Sequence, residues 1–450
     1  MSLRTNLLQR FRSTCGSVFP DQAISTTCKL ATVTGFAFVL AACDGDGTTS
    51  ITENSNANNA NNDVVVQRFG TLTVREQNPQ SNADTESQVI DGFNNLSLQL
   101  LREQSESEPG VNTVNSGYSL AVALSMLQRG AANSDFNLMQ QLLGVSAIEE
   151  ASLYPAINAI DLKLESRSNE GLELKSANQL FVKPGFALET DFLDVMTSEF
   201  DAPISDAKFQ EAPEDVRQAI NEWASENTND LIPEVLAQPL PGNTVLALLN
   251  ATLLDASWRQ TFNDAPNHQF TNINGEVQTV AGFTGTDNYQ FLETDDALSV
   301  SIDYQGSEVS LMIIVPNDIE TYRASLTEAQ ISQRHNDSTS SYLRLTVPNW
   351  NIKSDIDFTR LPMTNSLAGR ALNLTRMTSS DNCCEITSFK QQAVIEVDKD
   401  GTRAAAVTSI GVITTAVRIP ELVDIDQPFL YFVRDEPTGL ILFSGQVLSL

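Results

Sequence analysis

Two histidines, His268 and His335, are all the imidazole that this chain of 450 residues possesses. Neither stands beside a G-x-S-x-G turn or in an H-E-x-x-H helix, and both lie in polar stretches that predict solvent-facing side chains. No P-loop or dinucleotide fingerprint occurs. Basic residues are scarce: 27 Lys and Arg stand against 57 Asp and Glu, a formal charge of −30. Such a field repels phosphate backbones and anionic lipid surfaces, which excludes nucleic acid as a partner. Cysteine is sparse too, with five in the chain, and the two beyond residue 43 lack the further thiol ligands of a metal site. The sequence therefore points to no catalytic residue, no cofactor and no metal.

Long apolar runs are also few, and the first lies near the start. Arg4, Arg10, Arg12 and Lys29 precede LATVTGFAFVLAA (30–42), which is too short to span a bilayer as a mature helix and has the flanks of an export signal. It ends in LAAC (40–43). That tetrapeptide resembles the bacterial lipobox, in which small residues admit the signal peptidase and the following cysteine, here Cys43, carries lipid. Residues 1–42 are thus expected to be a lipoprotein signal peptide outside the fold. The Asn-rich stretch that follows cannot bury enough apolar area to offset its ordering entropy, so 43–85 is expected to be a flexible, lipid-anchored linker. The body would then face the periplasm or the extracellular space, touching the membrane through the anchor alone. Of the remaining cysteines, Cys15 and Cys28 leave with the signal. Cys383 and Cys384 are neighbours, which bridge only with strain, so two plain thiols are expected there.

From residue 86 to 450 the pattern is mixed. Helical spacing marks 87–104, 118–130 and 213–227, the last opening with Pro213 and acids in its first turn. Strand-like runs follow at 172–183, 244–258, 299–316, 342–352, 392–398, 429–435 and 441–450. Helices gather early and strands late with no linker between, which predicts one α+β domain rather than repeated βαβ units.

Four segments then carry a resemblance. NSGYSLAVALSMLQRGA (115–131) resembles the buried helix of the serpins, INEWASENTNDLI (220–232) their Ile-Asn-x-Trp segment, and LLNATLLDASWRQTF (248–262) their Asn-Ala-x-x-Phe-x-Gly-x-Trp strand. QPFLYFVRDEPTGLILFSGQV (427–447) matches the family ending almost position by position. The resemblance implies helices packed on a large, mostly antiparallel central sheet, with further sheets and an exposed reactive-centre loop at about 399–420. It also implies a hydrogen-bond network beneath the sheet, in which Ser116, Ser119 and Asn250 match and Gln391 replaces a histidine. Gly117 and Asp303 stand where prolines are usual. The stretch 372–387 fits the family poorly.

The loop sequence DKDGTRAAAVTSIGVITTAVRIP (398–420) bears on the same implication. It follows the strand-like QQAVIEV with no evident hairpin turn. Alternate residues from Thr402 to Thr414 are small, then β-branched, and none is charged. Such a run fits a strand that lies outside the sheet until a protease cuts it and then inserts. Gly401, Thr402, Ala404, Ala405 and Ala406 keep the hinge form of inhibitory members, while Lys399 and Arg403 replace typical acids. With ladder bonds worth about 0.5–1.5 kcal/mol net per residue, a dozen inserted residues supply on the order of 10 kcal/mol. The resemblance therefore implies an inhibitor of serine proteases, with cysteine proteases as a second class; the other reading is a non-inhibitory, lipid-anchored binding or scaffold protein of the same fold. Spacing from Gly401 puts the reactive bond at Thr415–Ala416, whereas counting back from QPF favours Val417, and Arg418 is the remaining alternative. Small and β-branched residues at 412–417 suit elastase-like or subtilisin-like pockets. The protein is expected to act as a monomer.

Overall fold

The computed structural model describes residues 32–42, 64–67, 74–379, 384–402 and 418–450. In chain order its strands are β1 (Thr32–Ala42), β2 (Val65–Gln67), β3 (Thr113–Asn115), β4 (Leu172–Val182), β5 (Ile204–Ala207) and β6 (Thr244–Ser257). Next come β7 (Asn263–Thr271), β8 (Val277–Glu293), β9 (Ala297–Asp303), β10 (Val309–Pro316), β11 (Thr339–Pro348) and β12 (Trp350–Asp357). The last are β13 (Ala371–Leu372), β14 (Cys384–Val397), β15 (Gly401–Thr402), β16 (Glu421–Asp424), β17 (Phe429–Asp435) and β18 (Ile441–Val447). The helices are α1 (Ala83–Ser107), α2 (Gly117–Gly130), α3 (Asn133–Leu142), α4 (Glu150–Glu165), α5 (Thr190–Ser198), α6 (Pro213–Asn227), α7 (Ile319–Ser325) and α8 (Glu328–Asp337).

The central sheet runs β12-β14-β1-β6-β4-β5-β2, with β13 on β14 and β15 on β6. All neighbours along it are antiparallel except β4 and β5. A second sheet runs β16-β11-β8-β9-β10-β17-β18-β3, with β7 on β8. The class is α+β, as the sequence predicts.

β6 shows why its sequence lacks simple alternation. Ala247, Leu249 and Leu253 pack with Val216, Ile220 and Ala224 of α6, while Leu246, Leu248 and Leu254 join the large core that contains α2. A strand covered on both faces reads as a continuous apolar run. Helix α2 is buried all round apart from Arg129, and Ser116 caps it by accepting the Ser119 N–H.

Several expectations change. The run 299–316 is the hairpin β9–β10, turned through Gly306 and Ser307, both with positive φ. The run 342–352 spans two strands in different sheets, β11 and β12, separated by Asn349. β14 starts at Cys384, well before the expected 392. Cys384 is buried and disulfide-bonded, which corrects the expectation of a plain thiol. Its register partner is Ala42, so two further cysteines, Cys43 and Cys383, adjoin this pair in sequence.

The N-terminal side changes most. Residues 32–42, taken from the sequence as an export signal outside the fold, are a strand paired on both sides in the middle of the central sheet. The physical reason lies in the same composition: an uncharged, proline-free run rich in Val, Thr and Phe is good strand material. β2 pairs with β5, and Arg75 is buried, donating to Asn158 Oδ1 (3.0 Å), Asp161 Oδ2 (2.8 Å) and Glu165 Oε1 (2.6 Å). The packed fold thus reaches N-terminal of residue 86. Burial pushes the Asp161 carboxyl up, and Arg75 with the Tyr118 hydroxyl opposes that shift.

Candidate functional site

Where β14 ends, the chain turns within four residues. Asp398 N–H donates to the Gly401 carbonyl (3.1 Å), Gly401 N–H donates back (3.3 Å), and the Asp398 carboxylate accepts from Asp400 N–H (2.8 Å). This is the hairpin turn that the sequence did not reveal, with Lys399 at its tip ion-paired to Asp264. Gly401 has φ +144°, and a Cβ there would lie 2.1 Å from the Ala256 carbonyl oxygen. Only glycine fits this close approach.

Thr402 follows, fully buried opposite Ala256 of β6, and shares a 2.5 Å hydrogen bond with the Tyr304 hydroxyl. Tyr304 stacks on Trp258 with centroids 4.6 Å apart and planes 8° from parallel, and Trp258 Nε1 donates to the Asp398 carbonyl (2.7 Å). Burial pushes the Tyr304 phenol well up, the Thr402 bond counteracting. The two aromatic residues therefore clamp the turn and the first loop residues onto the end of β6. The expected loop, starting free of the sheet at 399, is corrected here: Gly401 and Thr402 are already within it. In the sequence, Trp258 stands out only as a member of its strand motif. The tyrosine directly after Asp303 is the signal in the sequence that points to the clamp.

Asp303 itself, where a proline is usual in the resembling family, is half-buried. Burial raises its carboxyl, and Arg259, 3.1 Å away, offsets this by pairing with it.

Beneath the sheet, Ser116, Ser119, Asn250 and Gln391 come together. Gln391 Oε1 accepts from Ser116 N–H (3.1 Å), and its Nε2 donates to the Ser116 carbonyl (2.9 Å). Ser116 Oγ donates to the Leu442 carbonyl (2.6 Å) while accepting from Ser119 N–H (3.1 Å). Ser119 Oγ donates to Asn250 Oδ1, and Asn250 Nδ2 donates to Asn178 Oδ1 (2.8 Å). Gln391 on β14 and Asn250 on β6 share Phe36 of β1 as register partner. The amide thus keeps a place in the network through Ser116, with both its donor and its acceptor used.

Ala404, Ala405, Ala406, Thr415, Ala416, Val417 and Cys43 lie outside the described residues. Arg418 lies within them: its guanidinium sits 4.6 Å from the Tyr342 ring centroid and donates to Asn288 Oδ1 (3.3 Å). The adjacent Ile419 is exposed. The histidines differ in setting from expectation. His268 is buried and bonded to the Ile425 carbonyl (2.9 Å), and His335 Nδ1 lies 3.2 Å from Glu436. Among the described residues no group of His, Cys, Asp and Glu is placed to hold a metal ion.

Comparisons with known proteins agree with this geometry. The family model "Serpin (serine protease inhibitor)" matches residues 91–450. An uncharacterised serpin-like protein of Thermococcus kodakarensis is 24% identical over 373 residues, covering 81% of this chain and 86% of its own. The leukocyte elastase inhibitor of Equus caballus is 27% identical, covering 79% of this chain and 97% of its own. Plasminogen activator inhibitor 1 of Sus scrofa is 28% identical, with 78% and 90% covered. Among solved structures, the thermophilic serpin tengpin in its native state superposes with a TM-score of 0.70 at 23% identity, covering 84% of this chain and 97% of its own. Thyroxine-binding globulin in complex with thyroxine gives 0.70 at 20% identity, with 80% and 98% covered. A glycine-hinged turn entering a large central sheet, a network of Ser, Asn and Gln beneath it, and a family match over most of the length lead to one conclusion: the chain belongs to the serpin family.

Proposed function

We propose that the protein inhibits serine proteases by offering residues near 415–418 as a substrate and trapping the enzyme as an acyl intermediate. The attacking hydroxyl belongs to the protease. Its attack on the Thr415 carbonyl breaks the Thr415–Ala416 bond, releases the new amine at Ala416, and leaves Thr415 esterified to the enzyme. If the hinge side of the loop then inserts as a strand, the attached protease is dragged and distorted before water completes deacylation. The single observation that carries this reading is the course of Gly401–Thr402, which already pairs with β6 and points along its edge facing β14. Several relatives named as protease inhibitors support the same class.

The loop residues favour elastase-like or subtilisin-like targets. Arg418, held over Tyr342, would have to leave that ring to enter a trypsin-like pocket. The chain from Cys43 onward, incubated with a panel of serine proteases, is expected to give SDS-stable complexes and a released peptide beginning at Ala416. A peptide beginning at Ile419, with only trypsin-like enzymes trapped, would move the reactive bond to Arg418. Cleavage without any complex would favour the second reading, a non-inhibitory binding protein.

Location is part of the proposal. Cys43 carries lipid after removal of 1–42, and the body faces the periplasm or the exterior. A Cys43→Ser chain is expected in the soluble fraction; continued sedimentation with membranes and fatty-acid labelling would refute the anchor.

A further inference from the structure

β1 and β15 lie end to end along one side of β6. β15 pairs Gly401 with Ser257 and Thr402 with Ala256, and β1 begins opposite Leu254 and continues to Ala41 opposite Thr244. Both are antiparallel to β6, so both run in the same direction, and only Asp255 separates their registers. On the far side of β1, β14 takes up the pairing from Val33 opposite Val394 to Ala42 opposite Cys384. A strand prolonged from Thr402 in unbroken register would set Ala404 opposite Leu254, where Thr32 stands, and Val412 opposite Leu246, where Leu40 stands. Two strands cannot share one ladder, because each N–H and C=O along that edge serves one neighbour. Composition points the same way: TVTGFAFVLAA (32–42) and AAAVTSIGVIT (404–414) both lack charge and proline. Both meet the demands of a strand paired on each side.

We propose that residues 32–42 are a resident strand that fills the insertion slot of the central sheet and keeps the chain's own reactive loop out of it. With β1 in place, a loop cut by a protease finds no vacant ladder between β6 and β14. The acyl-enzyme then has time to take up water, and the full chain behaves as a substrate. Hydrolysis of the Ala42–Cys43 bond, consuming one water and leaving a carboxylate on Ala42 and an amine on Cys43, cuts the covalent tie that keeps β1 at high effective concentration. The removal of 1–42 would thus also arm the inhibitor. This last consequence rests on the inhibitor reading; the occupancy of the slot does not.

Occupancy is tested without a protease. In hydrogen exchange of the full-length chain, the amides of 32–42 are expected to exchange on the order of a hundredfold or more slower than in the free peptide; exchange at the free-peptide rate overturns the proposal. A fluorescein-labelled peptide of residues 403–414 is expected not to bind the full chain. It is expected to bind a full-length Phe36→Pro/Val39→Pro variant at one per chain, since the two prolines remove ladder donors toward both neighbours. Equal binding to both, or none to a variant whose circular dichroism shows it folded, overturns the proposal. If the variant fails to fold, the exchange result decides. For the arming step, SDS-stable complex is expected with the chain from Cys43 onward and simple cleavage with the full chain. Complexes with both overturn it, and complexes with neither refute the inhibitor reading while the exchange result still judges the slot.

Discussion

At the scale of single residues, the hinge and the network beneath the sheet depend on side chains with no freedom to grow. Gly401→Val would drive a Cβ into the Ala256 carbonyl at a φ that branched residues avoid. The expected cost is about 1–3 kcal/mol, read from urea unfolding, together with loss of the turn that aims the loop. Smaller losses would mean that the turn relaxes away from β6. Gln391 offers a test in pH. It does not titrate, so the network that ties it to Ser116 contributes no pH step of its own. An imidazole buried in its place would have its folded value depressed by desolvation below the unfolded value of about 6.5. Its stability contribution would then be present above that value and lost as pH falls through the folded one. Thermal melts of Gln391→His against the parent between pH 5 and 8 are expected to diverge on the acid side; parallel curves would place the new ring in solvent.

At the scale of elements, close crossings explain some departures from family pattern. A Cβ on Gly117, the first residue of α2, would lie 2.0 Å from Ser97 Oγ and 2.4 Å from its Cα on α1. Gly117→Ala is therefore expected to destabilise by about 1–3 kcal/mol through overpacking. The clash with the Ser97 backbone predicts little relief from Ser97→Gly. A double-mutant cycle showing full rescue would mean that the hydroxyl alone sets the crossing. The same scale separates what was legible in the sequence from what was not. α1, α2, α6 and β6 announced themselves because each buries an apolar stripe or run. β8 did not: in VQTVAGFTGTDNYQFLE half-exposed polar residues dominate, and its strand form comes from pairing with β7, β9 and β11. α4 was hidden by Pro155 in its first turns and β7 by its polar run. At the site, Gly401, Thr402, Ser116, Ser119 and Asn250 could be named from motif spacing. The Trp258–Tyr304 clamp leaves no local pattern, because the stacked rings lie 46 positions apart in sequence, and only the tyrosine directly after Asp303 hints at it.

At the scale of the whole molecule, the question is where an added strand finds its partners. Cutting the loop changes little locally, since Thr402 is already bound to β6 and Arg418 is held over Tyr342 on the second sheet. Stability rises only if the freed segment then joins a ladder on both sides and buries surface that the intact chain leaves in water. In the full-length chain that ladder is taken by β1. The two forms should therefore respond differently to the same nick within 409–418. The chain from Cys43 onward is expected to gain at least about 10 °C in melting temperature, which is about 8 kcal/mol for a domain of this size, whereas the full chain should change little. A charge placed to be carried inward separates insertion from other causes of a rise. Thr402 is unsuitable, because it is already buried and bonded to Tyr304. Ala406→Arg lies beyond it on the same alternate face, and it should abolish the gain after nicking without lowering the melting temperature of the uncut protein. A gain that persists in Ala406→Arg would show that the stabilisation does not come from a strand entering between β6 and β14.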